Sequence, residues 1–366
     1  MTIFFLIAGI AALILAHEWG HFFTAKRFKV RVEEFGFGFP PRLWSRKKGE
    51  TRISVNLLPL GGFVRLYGES RDSTSLTARG GGSTSQNSVT PPLGVEPPHI
   101  DQNRAFHRQA AWKRALIIFA GVCVNFVLGW FIISVILLVG SPGTAVIASV
   151  APESPAARAH LEPGDQLTAF STANEFVSYV AARRGEEIVL EIKRGAAENN
   201  EAISVKVVPR ASPPPGEGAL GVTVADTGIP RVAFPVNFWE GLKTSGAIVW
   251  FIAQSLYGVL AGLFTQGRLA DGLVGPVGIV GVAGAAAGFG FMYLFQLLAM
   301  ISLNLVVLNI LPIPALDGGR LLFIAIEKMK GSPVKAKREQ LSHAIGFALL
   351  LLLMVFITAR DIARIL

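Results

Sequence analysis

Residues 14–23 read ILAHEWGHFF, and His17, Glu18 and His21 are the residues there that could do chemistry. On a helix, positions i and i+4 share a face. Two histidines at that spacing can hold one zinc ion, with the intervening glutamate as general base. Nothing from Met1 to Ala16 is charged, so the three groups interrupt an apolar stretch. On insertion scales an ionised carboxylate at mid-bilayer costs about 2.5–3.5 kcal/mol. A metal and a catalytic water offset that cost. The plainer reading is a polar notch, or a pair of satisfied histidines, packed against another span.

A catalytic zinc takes a third protein ligand and keeps one position open. Asp317, in the run LNILPIPALDGGR at 308–320, is the candidate. It is the first charged residue after Asp271, with 45 uncharged residues between. Locally it also fits an Asp-Gly turn just past a membrane span. Pro312 and Pro314 break a helix at membrane depth, which is tolerated where backbone lines a cavity or is covered by protein.

The elements that must position these residues are mostly membrane spans. The chain has 366 residues, 51% hydrophobic and 16% charged. Soluble domains carry about 25% charged residues. A span needs about 20 apolar residues, and four segments are expected to cross: 1–25, 113–139, 290–318 and 340–360. The net charge of +9 is a topology signal rather than a nucleic-acid signal. Residues 26–114 hold sixteen Lys/Arg against seven Asp/Glu, and residues 140–290 hold ten against thirteen. The basic flanks put the loops after spans one and three, and the one before span two, in the cytoplasm. Both termini then lie outside. The single cysteine, Cys123, excludes an intramolecular disulfide. The N-terminus lacks the basic region and cleavage site of a signal peptide and reads as a permanent span.

Between the spans, 33–68 alternates apolar and polar residues with Gly and Pro punctuation, predicting short hairpin strands at the membrane. Residues 69–104 are Gly/Ser/Thr/Pro-rich and read as a disordered linker. Residues 144–228 form an outside α/β domain, with strands AVIASV, EIVLEIKR, ISVKVVP and ALGVTV. Its first helix is expected after Ser154 and a second over 175–183. The apolar segment 244–264 presents a geometric test. His17 and His21 lie late in span one, and Asp317 lies at the end of its own span. They meet at one depth only if those spans run the same way. A crossing by 244–264 would invert the second, so 235–285 is predicted to hold a surface helix and a re-entrant segment.

The combination resembles the site-2 protease family of intramembrane zinc metalloproteases (peptidase family M50), in its bacterial RseP-like branch. The resemblance rests on HEWGH in span one, AGVCVNFVLG at 120–129, GPVGIVG at 275–281 and LNILPIPALDGGRLLFIAIE at 308–327. It implies a polytopic α-helical membrane protein with four transmembrane helices, a membrane-associated β region and one extracytoplasmic PDZ-like domain. It implies one zinc per chain, held by His17, His21 and Asp317, with Glu18 activating the zinc-bound water. Asn125 and Asn309 would hold substrate backbone or the oxyanion, their alternative role being interhelical hydrogen bonding. The substrates implied are single-span membrane proteins already trimmed outside, such as anti-sigma factors or remnant signal peptides. The location implied is the bacterial inner membrane, with the active site toward the cytoplasm. The domain at 144–228 resembles a PDZ module that binds peptide by strand addition or acts as a size filter. Three positions depart from the family pattern. Val122 stands where Pro is usual, Arg320 where His is common, and His160 where Gly is usual. Two rival functions remain: a catalytically silent membrane chaperone of the same fold, and a metal or ion transporter.

Overall fold

The computed structural model describes residues 2–69, 102–141, 143–194, 201–214, 217–266, 275–288 and 291–365. The linker expected at 69–104 falls almost entirely outside them. Chain order is α1 (Thr2–Arg27), β1 (Val32–Lys48), β2 (Thr51–Leu66), α2 (Ala111–Val139), β3 (Ala145–Val150), α3 (Pro155–Arg158), β4 (Gln166–Leu167), α4 (Ala173–Ala182), β5 (Ile188–Arg194), β6 (Glu201–Val207), β7 (Val222–Asp226), α5 (Val236–Gln266), α6 (Pro276–Gly288), α7 (Phe291–Ile310), α8 (Asp317–Lys330) and α9 (Ala336–Ile365). Among the described residues five helices, α1, α2, α5, α7 and α9, are long and apolar enough to cross a membrane. The chain is therefore a polytopic membrane protein with β structure attached. It divides into two compact bodies: residues 4–129, 247–277 and 300–366, and residues 130–246 and 278–299 with the first three.

In the first body, the end of α1, the start of β1 and the end of β2 bury Ala25, Val30, Val32 and Leu66 against Ile117 of α2. The β region departs from the expected short strands. Two strands of 17 and 16 residues form instead, each bent back on itself. Val32–Phe37 pair with Leu66–Gly62, and Arg42–Lys48 pair with Asn56–Thr51, both antiparallel. The bend lets Glu34–Phe37 also lie beside Arg52–Val55, with residue numbers rising together. Pro40, Pro41, Gly61 and Gly62 occupy the corners, where a continuous ladder is weakest.

One charged cluster ties this sheet to α1. Glu50, in the β1–β2 turn, accepts from Lys26 Nζ at 2.6 Å and from both terminal nitrogens of Arg104 at 2.8 Å. Arg104 Nε also donates to the Lys29 carbonyl at 3.0 Å. The Arg104 hydrogen bonds, followed by Lys26, hold the Glu50 carboxyl at about 2. A carboxyl depressed in the fold stabilises it above its unfolded value near 4.5 and loses that contribution as pH falls toward 2. Glu50→Gln is expected to lower the thermal midpoint by about 2–4 °C at pH 7, from roughly 1 kcal/mol for a part-exposed network. The gap should close between pH 4.5 and 2. A gap that stays constant over that interval would refute the clamp.

The second body contains a five-stranded sheet in the order β6-β5-β4-β3-β7. Its core is Ile147, Leu167, Leu190, Ile192 and Leu220, closed by Phe176 of α4. Alternation along β5, with Ile188, Leu190 and Ile192 inward, is the period-two pattern of a half-buried strand. Ser154 caps α3 by accepting from the Ala157 N–H at 3.1 Å, and Thr172 caps α4 by accepting from Glu175. The two-residue β4 was not foreseen in the sequence. His160 has φ +57°, a conformation glycine adopts without strain. Arg194 reinforces that turn by donating to the His160 carbonyl at 2.6 Å and to both Asp165 oxygens at 2.7 Å. α2 and α5 meet through small and polar groups. Asn237 Nδ2 donates to the Ser134 carbonyl at 3.0 Å, and Trp130 Nε1 to that of Phe238 at 2.8 Å.

The third expected span divides where the prolines predicted a break. α7 ends at Ile310, and Asp317 opens a separate helix, α8, instead of closing α7. The intervening turn contains Pro312 and Pro314, which disfavour the helical conformation before them, and Ala315 at φ +84°.

Candidate metal centre

α1 supplies His17 and His21 one turn apart, both more than nine-tenths buried. α8 supplies Asp317 as its first residue, where the helix dipole favours a carboxylate. Three atoms converge. Asp317 Oδ2 lies 3.0 Å from His17 Nε2 and 3.3 Å from His21 Nε2, and the two nitrogens are 3.1 Å apart. Among the described residues this is the one group of three or more His, Cys, Asp or Glu side chains placed to share a metal ion.

The triangle fits zinc. Ligand atoms about 2.0–2.2 Å from a tetrahedral ion stand roughly 3.3–3.6 Å apart, so shifts of a few tenths of an ångström would seat one. Oδ2 of Asp317 is buried and has no hydrogen-bond partner among the described residues beyond these two imidazoles. Two imidazole nitrogens and a carboxylate oxygen that face one point suit a cation.

α2 forms the wall behind the histidines. His21 Nδ1 donates to the Ile117 carbonyl at 2.9 Å, leaving Nε2 free for a metal. Gly121 fills the gap: a Cβ there would lie 2.5 Å from His21 Nε2 and 2.7 Å from His17 Cε1. Asn125 is fully buried, with Nδ2 3.2 Å from His17 Nδ1, and its carbonyl accepts from Ser302 Oγ of α7 at 2.8 Å. Asn309, near the end of α7, is half-buried and points Nδ2 at His17 Nε2 from 3.5 Å. The two asparagines therefore differ. Asn125 stands behind an imidazole, whereas Asn309 faces the ligand triangle.

Glu18 sits between the ligands on α1, and β2 passes beside it. Gly62 approaches so closely that a Cβ would be 2.8 Å from Glu18 Cγ. The turn before Asp317 is held from α9, where His343 Nδ1 accepts from the Ala315 N–H at 2.8 Å. Gly318 allows the same turn to fold back, since any side chain would strike the carbonyls of Ile310 and Leu311. His343 was missed in the sequence. Its signal was an ionisable residue at the start of an apolar span, the type that marks functional positions in membranes. A cavity with a charged lining that includes Arg65, Glu69, Arg114, Arg320 and His343 opens one turn beyond Asp317.

Residues 5–353 match the model of peptidase family M50. The chain belongs to this family. Among its relatives is the zinc metalloprotease RasP of Geobacillus kaustophilus, 32% identical over 98% of this chain and 97% of the relative. The proteins of that name from Oceanobacillus iheyensis and Shouchella clausii are each 30% identical over 99% of this chain, and over 98% and 99% of their own lengths. His17, His21 and Asp317, the three residues that the fold brings together, all lie within the matched range.

Proposed function

We infer that this centre hydrolyses peptide bonds within the membrane, with His17, His21 and Asp317 as the zinc ligands, Glu18 as general base and Asn309 as an oxyanion donor. The enzyme class follows from membership: the chain is a membrane zinc metalloendopeptidase of peptidase family M50. The observation that carries the assignment of residues is the Nε2–Nε2–Oδ2 triangle, with edges of 3.0–3.3 Å.

A zinc ion seated there would polarise a carbonyl and make a water acidic enough to lose its proton near neutral pH. Glu18 accepts that proton and returns it to the departing amide nitrogen. Asn309 Nδ2 donates to the oxygen on which negative charge develops. The charged cavity near Arg320 would hold water about one turn from Asp317.

The substrate must unwind, because a helix covers its amides with its own hydrogen bonds. β2 beside Glu18 presents backbone that can pair with the freed segment, which hydrocarbon cannot. Leu43, Trp44 and Leu57 are exposed on the same sheet and suit contact with lipid. In the PDZ-like domain β7 lies at the sheet edge, with α4 against β3 and β7. That arrangement suits strand addition by a peptide. The substrates proposed are single-span proteins trimmed on the outer side, such as anti-sigma factors or remnant signal peptides. The PDZ-like domain would sample or exclude their outer ends.

Four crossings, with the termini and the PDZ-like domain outside the cytoplasm, remain the favoured topology. His17, His21 and Asp317 meet only if the chain reaches Asp317 on the side where α1 ends. A crossing by α5 would need a compensating crossing before α7. α6 has 13 residues, about 20 Å of helix, against a hydrocarbon core of about 30 Å. α5 would then lie along the outer surface.

The test uses the purified chain in lipid vesicles with a single-span substrate. One zinc per chain is expected, with cleavage lost to 1,10-phenanthroline and restored by zinc. Cleavage by metal-free protein would refute the reading. In the same vesicles a cysteine at Gln266 should react with an impermeant maleimide from the PDZ-like side only. Reaction from the opposite side would refute the four-span topology.

A further inference from the structure

We infer that Asn125 is a positioning residue for His17: its side-chain oxygen accepts the Nδ1 proton and holds the ring in the tautomer that ligates metal through Nε2. The inference rests on the zinc reading above and assigns Asn125 a role different from holding substrate or oxyanion.

A neutral imidazole that ligates through one nitrogen carries its proton on the other. His21 meets that requirement through the Ile117 carbonyl. His17 Nε2 lies in the ligand triangle, so its Nδ1 must carry hydrogen and find an acceptor. The group at 3.2 Å is Asn125 Nδ2, which can only donate. A donor there requires the opposite tautomer, with hydrogen on Nε2, and that tautomer cannot bind a metal through Nε2. The two ends of an amide have nearly the same shape and are distinguished by their partners. A half-turn about the last side-chain bond exchanges them and brings Oδ1 to Nδ1. In the opposite orientation Oδ1 is buried with no hydrogen-bond partner among the described residues. The half-turn gives the buried Oδ1 and the Nδ1 hydrogen one another as partners, at a site where Asn125 has no water-facing surface.

The neighbouring contacts support a positioning role. Ile117, Gly121 and Asn125 lie at i, i+4 and i+8 and so share one face of α2. That face meets His21 and His17, which are themselves i+4 and i on α1. One helix–helix register thus fixes both rings, with Gly121 as the clearance between them. Ser302 Oγ donates to the Asn125 carbonyl at 2.8 Å and anchors that turn of α2 to α7. Outer partners of metal-ligating histidines typically contribute 10–100-fold to metal affinity.

Two substitutions separate the roles. Asn125→Leu keeps the size and removes the acceptor. Asn125→Asp keeps the acceptor and removes every donor. Zinc affinity is read by competition with a chelating indicator, and kcat and KM are measured at saturating zinc. Asn125→Leu is expected to bind zinc about 10–100-fold more weakly, with most of its kcat restored at saturation. Asn125→Asp is expected to bind zinc at least as tightly as the parent and to keep its kcat. Parent-like zinc affinity in both variants with kcat collapsed in both would overturn the inference and return Asn125 to the oxyanion. If Asn125→Leu does not fold, Asn125→Asp decides alone: parent-like affinity with intact kcat supports positioning, and a lost kcat refutes it. A parent protein without stoichiometric zinc would refute the metal reading itself, a result distinct from either outcome.

Discussion

Glu18→Gln is expected to abolish cleavage while leaving one zinc per chain. Glutamine matches glutamate in shape but cannot accept a proton at neutral pH. Glu18 is not one of the three converging ligand atoms, so the triangle of His17, His21 and Asp317 should persist. General acid–base catalysis by one positioned group is worth about 10²–10⁴-fold. Glu18 would act twice, on the attacking water and on the leaving nitrogen, so a loss of at least about a thousandfold is expected. Glu18→Asp draws the carboxylate back by one methylene, and Gly62 leaves no side chain on that side to push it forward again. It should retain a small residual rate. Metal content by mass spectrometry and cleavage of a single-span substrate are the measurements. Cleavage by Glu18→Gln within tenfold of the parent would remove Glu18 from the mechanism. Loss of zinc in that variant would make its role structural. The same experiment separates a peptidase from a silent relative of the same fold, since a chaperone would be indifferent to the substitution.

The parts of the site legible in the sequence were those written in side-chain type and short-range spacing. His17 and His21 share a face because of helical periodicity alone. Asp317 stood out because no charge precedes it for 45 residues. The requirement that the two halves meet at one depth then constrained the spans between them. Two other kinds of feature were not legible. The first is main-chain chemistry: the carbonyl that orients His21 belongs to Ile117, and any residue at that position would present it. The second is contact between elements distant in the chain. His343 steadies the turn before Asp317 from 28 residues away, and nothing local to either segment records the pairing. The β region illustrates the same limit. Alternation identified it as strands, but the double register of Glu34–Phe37 against both Gly62–Arg65 and Arg52–Val55 depends on how the strands bend. β4 has two residues, too few to show a period. Asp317 itself was expected to end a span. It opens α8 instead because Pro312 and Pro314 allow six residues to turn between the helices, a distance that hydropathy does not resolve.

That placement leads to the converse of the Glu18 result. Asp317→Ala is expected to lose zinc, and with it all cleavage. Two imidazoles alone leave the ion short of the three protein ligands that catalytic zinc sites use. Spread over four ligands, the roughly 10–16 kcal/mol of a structural zinc site gives on the order of 3 kcal/mol each, or about a hundredfold in affinity. Asp317→Asn retains an oxygen at the same point without its charge, so it should bind weakly and recover some activity at high zinc. Asp317→Glu pushes the carboxylate a methylene too far into a triangle whose edges are already 3.0–3.3 Å, and it should do no better than alanine. The fold should survive each change. The carboxylate's interaction with the start of α8 is worth only about 0.3–1 kcal/mol, and the turn is held independently by His343. Resistance to limited proteolysis, compared between parent and variants, establishes that survival. Stoichiometric zinc in a folded Asp317→Ala protein would refute Asp317 as the third ligand. Glu18→Gln with zinc and no cleavage, beside Asp317→Ala with neither, would separate the residue that moves the proton from the residues that hold the metal.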